Sequence, residues 1–179
     1  MKKTNRIALG GLMAALSVAA MLMTGIVPMA DFALPAIAGI FLVPVVVEAG
    51  YKAAWLCYGA AALLSILIAP MKECALYYAA FLGFYPIVKS LLEKRRSRVM
   101  EWVLKLLAFN ACLALITFSA WLVFRFPGFS ELFQSAWWVL AGGLLLFNAV
   151  FVVYDIALTQ LISAYLRWFR PQYILKIFK

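Results

Sequence analysis

The sequence predicts an all-α integral membrane protein of six transmembrane helices, with both chain ends on the cytoplasmic side. Three observations lead there. Hydrophobic residues make up 68% of the chain and charged residues 13%, against about 45–50% and about 25% in a soluble domain. The apolar stretches recur at close to the length of about 20 residues that a bilayer requires. Basic residues collect at alternate ends of those stretches, as the positive-inside rule demands.

Each span is bounded by proline, glycine or charge. The first covers residues 7–27 and stops at Pro28. Its apolar run exceeds the roughly 7–15 residues of a signal-peptide core, so it reads as a spanning helix. The second covers residues 32–47 and ends at Glu48, Gly50 and Lys52. Pro35 and Pro44 fall inside it, removing backbone donors and kinking the span. The third covers residues 53–69 and stops at Pro70. The fourth covers residues 74–92 and runs into the charged segment from Glu93 to Arg98. The fifth covers residues 102–124, and Pro127-Gly128 marks the loop that follows. The sixth covers residues 136–166, longer than a bilayer needs, so it is expected to tilt or emerge. Residues 167–179 form a basic tail with interspersed aromatics, suited to lying on the membrane surface. The whole chain, 1–179, is expected to form one domain.

Six spans put Lys2, Lys3, Arg6, Lys52, Lys94, Arg95, Arg96, Arg98, Arg167, Arg170, Lys176 and Lys179 on the cytoplasmic side, and leave Lys72 and Arg125 outside. The net charge of +9 is then explained by topology and anionic lipid, and no nucleic acid is implied. The chain has no histidine, and Cys57, Cys74 and Cys112 form no C-x-x-C pair. A serine or cysteine nucleophile would lack its histidine base. No catalytic residue, metal site or cofactor is therefore expected.

Three groups of residues remain as candidates. Gly11, Ala15 and Ala19 recur every four residues on one face of the first helix. Small residues at that spacing admit another helix closely, either within the chain or from a separate subunit. Asp31, Lys72, Glu73, Tyr77, Tyr78 and Arg125 fall in or beside the outer loops. Apolar walls with a few convergent polar groups suit a small-molecule pocket, and Lys72-Glu73 is the leading pair. An interfacial aromatic belt with solvated charges explains the same residues. Lys89, Asn110, Asn148 and Asp155 lie within the spans, where polar groups are expensive and need partners. Lys89 is the candidate partner for Asp155.

Taken together, a basic start, the Ala15-x-x-x-Ala19 helix, a short loop from Pro28 to Phe32, and a second helix with Pro35, Gly39 and Pro44 ending in Glu48-Ala49-Gly50 resemble a known family. It is that of the substrate-binding S components of energy-coupling factor transporters, which import micronutrients. The resemblance implies that a small-molecule substrate binds from the outer face of a bacterial-type cell membrane. It implies that Ala15 and Ala19 dock on a transmembrane coupling subunit driven by two ATPase subunits. It implies that the chain is not itself an enzyme. The rod-shape membrane protein of the cell-wall machinery resembles the same six-helix architecture. That alternative predicts a non-transport scaffold with a filled interior. A lipid-modifying enzyme is a third class, and it would need catalytic groups clustered at one depth.

Overall fold

The computed structural model describes residues 3–27, 30–93, 98–124 and 137–174, and all regular structure among them is helical. Five stretches are long and apolar enough to cross a membrane: Thr4–Gly25, Tyr51–Ile68, Lys72–Leu92, Arg98–Phe118 and Leu140–Trp168. The chain is a multi-pass helical membrane protein. A shorter apolar stretch, Ala33–Glu48, lies between the first two. Its packing divides the chain into two compact units, residues 1–96 with 160–179, and residues 97–159.

The first unit begins with α1, Lys3–Leu22, closed by a 3₁₀ turn at Met23–Gly25. The expected second span is two short helices, α2 (Ala33–Ile40) and α3 (Leu42–Glu48). Each proline sits in the first turn of its own helix, where the missing amide costs least. Pro44 cannot donate to the Ile40 carbonyl four residues back, so the break falls between the two helices, at Phe41. Gly50 then takes φ +87°, a conformation that side chains oppose, and turns the chain into α4 (Tyr51–Ile68).

The fourth run is also interrupted. It consists of α5 (Lys72–Tyr77), a π turn (Tyr78–Leu82) and α6 (Tyr85–Leu92). Pro86 has no amide hydrogen for the Leu82 carbonyl, and the helix widens before it. Within the π turn the Gly83 amide donates to Tyr78, five residues back, at 2.8 Å. An α-helix would have sent that hydrogen to Ala79. The Tyr58 hydroxyl of α4 donates to the Ala79 carbonyl in its place.

Directions follow from contacts along these runs. A Cβ on Gly10 would stand 2.9 Å from Cys57 Sγ, and one on Gly25 would stand 2.8 Å from Pro70, so α1 and α4 run parallel. Asp31 meets Cys74, Phe32 stacks on Tyr77, and Gly39 meets Leu82, so the second and fourth runs are parallel to each other. Tyr51 bonds Ser90 and Tyr58 bonds Ala79, so the third and fourth runs are antiparallel. The core between them is built of small residues. Ala20, Met21, Ala38, Ala61, Ala62, Ala69, Cys74, Ala75 and Tyr78 form one cluster, and Leu42, Val45, Ala54 and Ile87 form another.

The second unit is a helical hairpin. α7 (Arg98–Phe124) and α8, which begins at Trp137 and runs to Ala164, lie antiparallel. Asn110 meets Asn148, and Phe109 stacks on Phe151 with centroids 4.5 Å apart. Past α8 the chain continues as a π-type stretch, Tyr165–Ile174, around Pro171, which has no amide hydrogen for an α-helical bond. Large apolar side chains such as Leu56, Leu107, Leu145 and Val153 are exposed along the helices, as a lipid-facing surface requires.

Gly39 is the tightest point. A Cβ there would stand 2.2 Å from the Leu82 carbonyl oxygen, a backbone atom that cannot swing aside. Gly39→Ala should cost about 1–3 kcal/mol through overpacking. Gly59→Ala meets open space and should raise stability by about 0.5–1 kcal/mol through helix propensity. Thermal unfolding of both variants in the same detergent checks the contrast.

Candidate functional site

The outer-loop candidates do not all converge. Asp31 accepts a weak contact from the Cys74 thiol at 3.8 Å. Next to it, Phe32 and Tyr77 stack with centroids 4.8 Å apart. Lys72 does not partner Glu73. Its ammonium donates to the carbonyls of Ile66 and Leu67, at 2.9 and 3.1 Å. These are last-turn carbonyls of α4, which have no helical donor, so Lys72 works as a helix cap. Glu73 is exposed. Tyr78 points the other way, into the core, and is fully buried. Arg125 lies outside the described residues.

The small-residue stripe faces outward. Gly11, Ala15 and Ala19 are exposed, while Gly10, Ser17, Ala20 and Met21 occupy the buried side of α1. With Ala14, Val18, Leu22 and Leu64, the three exposed residues line a shallow apolar groove of about 400 Å³. Of the two readings of this stripe, packing within the first unit uses the opposite side of the helix.

The intramembrane polar residues are partnered. Asp155 accepts a hydrogen bond from Lys105 at 3.1 Å, with both side chains buried. Lys105 also pairs with Glu101 at 2.7 Å and lies 5.5 Å from the centre of the Trp102 ring. Lys89 pairs with Glu93 at 2.8 Å, one helical turn on. Lys105 and Asp155 meet because the antiparallel hairpin brings their depths together.

Asn110 and Asn148 exchange hydrogen bonds. Asn110 donates to Asn148 at 2.9 Å and Asn148 returns one at 3.2 Å. The remaining amide hydrogens go to the Leu106 and Leu144 carbonyls, both at 2.8 Å. Every donor of the pair is used, which a low-dielectric setting demands.

Lys105, Glu101 and Tyr58 were not singled out from the sequence. Glu101 and Lys105 are spaced four apart, and Lys105 is a cation inside an apolar helix, which would have marked it as the partner of an intramembrane acid. Glu48, expected only to end the second span, accepts from Arg170 Nε at 2.7 Å and ties the C-terminal stretch to α3. Among the described residues no three His, Cys, Asp or Glu side chains gather to hold a metal ion.

These features define a polytopic helical membrane protein with an exposed small-residue face on α1 and a buried Lys105–Asp155 pair in its hairpin. No protein-family model matches the chain, and no curated protein or solved structure matches it either.

Lys105 holds both Glu101 and Asp155, so Lys105→Met should destabilise the protein more than Asp155→Leu, which leaves the Lys105–Glu101 pair in place. The double variant should lose clearly less than the sum, and a double-mutant cycle read by thermal unfolding checks this.

Proposed function

We propose that this chain is the membrane-embedded substrate-binding subunit of an energy-coupling-factor-type importer in a bacterial-type cell membrane. It takes a small molecule from the outer face and docks through α1 on a transmembrane coupling subunit, which two ATPase subunits drive. It catalyses no reaction itself. The observation that carries this reading is the exposed Gly11, Ala15 and Ala19 face lining an apolar groove, the shape that a second helix at close approach would fill.

The topology that goes with it is six crossings with both ends inside. The parallel course of α1 and α4 supports it. A chain that leaves the end of α1 and enters α4 at the matching start must return across the membrane between them. The α2–α3 pair makes that return. Its 16 residues, Ala33–Glu48, span about 24 Å at about 1.5 Å per residue, with the flanking turns covering the rest of a core about 30 Å thick. Six crossings also keep the basic segments on one side. Those segments then face the anionic cytoplasmic leaflet.

A second reading, the non-transport scaffold, draws on the tight interior of the first unit, where Gly39 and Gly83 leave no room for a methyl group. Purification in mild detergent from native membranes, followed by mass spectrometry, separates the two. The transport reading expects a membrane coupling protein and two ATPases to co-purify. Ala15→Leu with Ala19→Leu should reduce their recovery at least about tenfold, the effect of losing about 1.4 kcal/mol of association energy. Recovery of cell-wall proteins without ATPases would sink the transport reading.

A further inference from the structure

We propose that Glu48 and Arg170 form a latch by which the C-terminal stretch, Tyr165–Ile174, locks α3, a segment hinged at both of its ends. The latch is independent of the transport reading and does not involve the exposed face of α1.

Two interruptions of the backbone bound α3 (Leu42–Glu48). At its start the helix breaks at Phe41, whose amide reaches the Ile37 carbonyl only at 3.4 Å. Pro44 brings no hydrogen to the Ile40 carbonyl, so the joint between α2 and α3 is weakly bonded. At the other end the Ala49 and Gly50 amides both donate back to the Val45 carbonyl, at 2.9 and 3.0 Å. Gly50 then turns the chain at φ +87°. A few residues at the ends of an element, able to absorb torsional change, are what a hinge requires.

Packing and an ion pair hold α3 between these joints. Leu42 and Val45 are buried in one cluster with Ala54 and Ile87. Glu48 ends the helix with 7% of its side chain exposed. A carboxylate there faces the negative end of the helix dipole, and burial deprives it of water. It needs a cation beside it. Lys52, the nearest basic residue in the sequence, is exposed. The cation comes instead from Arg170, 122 residues further along the chain, whose Nε donates at 2.7 Å.

Arg170 is placed to release as well as to hold. Its side chain is 43% exposed, and a guanidinium has further donors beyond Nε to give to water. The stretch that carries it is π-type and contains Pro171, which cannot complete a helical bond. Arg167 and Trp168 of the same stretch are exposed, and Tyr165 comes near both Glu48 and Arg170.

Loss of Arg170 would leave Glu48 as a buried charge without a counter-charge. The least costly relief is to carry the carboxylate into water. The joints at Phe41 and Gly50 let α3 do this while α4 and α6 stay folded. Displacement of the C-terminal stretch is thereby passed to α3, and α3 stays locked while the stretch is seated.

Hydrogen exchange reads the lock directly, because local opening and global unfolding give different patterns. The full chain is purified in detergent as wild type and as Arg170→Gln, and amide exchange is followed by mass spectrometry. Residues 45–50 of the variant should exchange at least about tenfold faster, with α4 and α6 unchanged, the pattern of a local opening. Unchanged exchange in residues 45–50 would show a tie that locks nothing, and would overturn the proposal. An equal rise in α3, α4 and α6 would show a pair that adds only global stability, and would overturn it too.

If Arg170→Gln does not fold, Glu48→Gln combined with Arg170→Gln removes the stranded charge together with the tie. Its residues 45–50 should still exchange at least about threefold faster than in the wild type, with α4 and α6 unchanged. No difference from the wild type overturns the latch.

Discussion

Pro86 sets the constraint around which the four-run unit is arranged. It withholds a hydrogen from the Leu82 carbonyl, in a setting where water cannot supply one. The helix answers by widening into the Tyr78–Leu82 turn, which frees the Ala79 carbonyl as well. Tyr58 crosses from α4 to serve Ala79. Gly39 brings the α2 backbone onto Leu82, close enough that no side chain fits between them. That approach offers a Cα–H to the orphaned oxygen, a weak contact that gains from low polarity. One missing hydrogen thus fixes the seating of α2, the placement of Tyr58 and the direction of Tyr78.

The hairpin of α7 and α8 is governed by different physics. Lipid is as apolar as leucine, so two apolar helices gain little from hiding apolar surface against each other. Here the register is set at three heights by side chains that cannot slide: Lys105 with Asp155, Phe109 with Phe151, and Asn110 with Asn148. A slip of one residue would part Lys105 from Asp155 and Asn110 from Asn148 at once. Buried ion pairs are weak sources of stability, but they penalise alternatives heavily. The arrangement accordingly specifies alignment more than it adds free energy.

Much of this was legible in the sequence. Five of the expected spans are found as helices, because apolar length is a strong signal that does not depend on what packs against what. The second span was legible as apolar and proline-broken, but not as two helices, since the break at Phe41 depends on where each proline meets its first turn. Among the candidates, Asp155 was visible as an acid in need of a partner. Lys105, which meets it across the hairpin, was not, because the antiparallel register that aligns the two was unknown. Lys72 was read as a pocket residue from its place in a loop. Its true contacts are carbonyls five and six residues earlier, a cap that follows from the fold of the Pro70 turn rather than from any pattern of charge. The direction of Tyr78 was equally hidden, because a place beside an outer loop does not show which side of the run faces the core.

The small-residue face of α1 shows how the two kinds of information combine. Spacing alone leaves Gly11, Ala15 and Ala19 as packing residues for either an internal or an external neighbour. The structure spends the other side of α1 on α2 and α4, through Gly10, Ser17 and Met21, and leaves this side exposed. A helix that met only lipid here would gain nothing from lacking side chains, since leucine or valine would serve the acyl chains better. A bare backbone ridge becomes useful when another helix lies against it, because dispersion contact and Cα–H bonding both grow as the axes close. The cost of small residues at these positions is lost apolar contact with lipid, and the docking proposed for α1 would recover it.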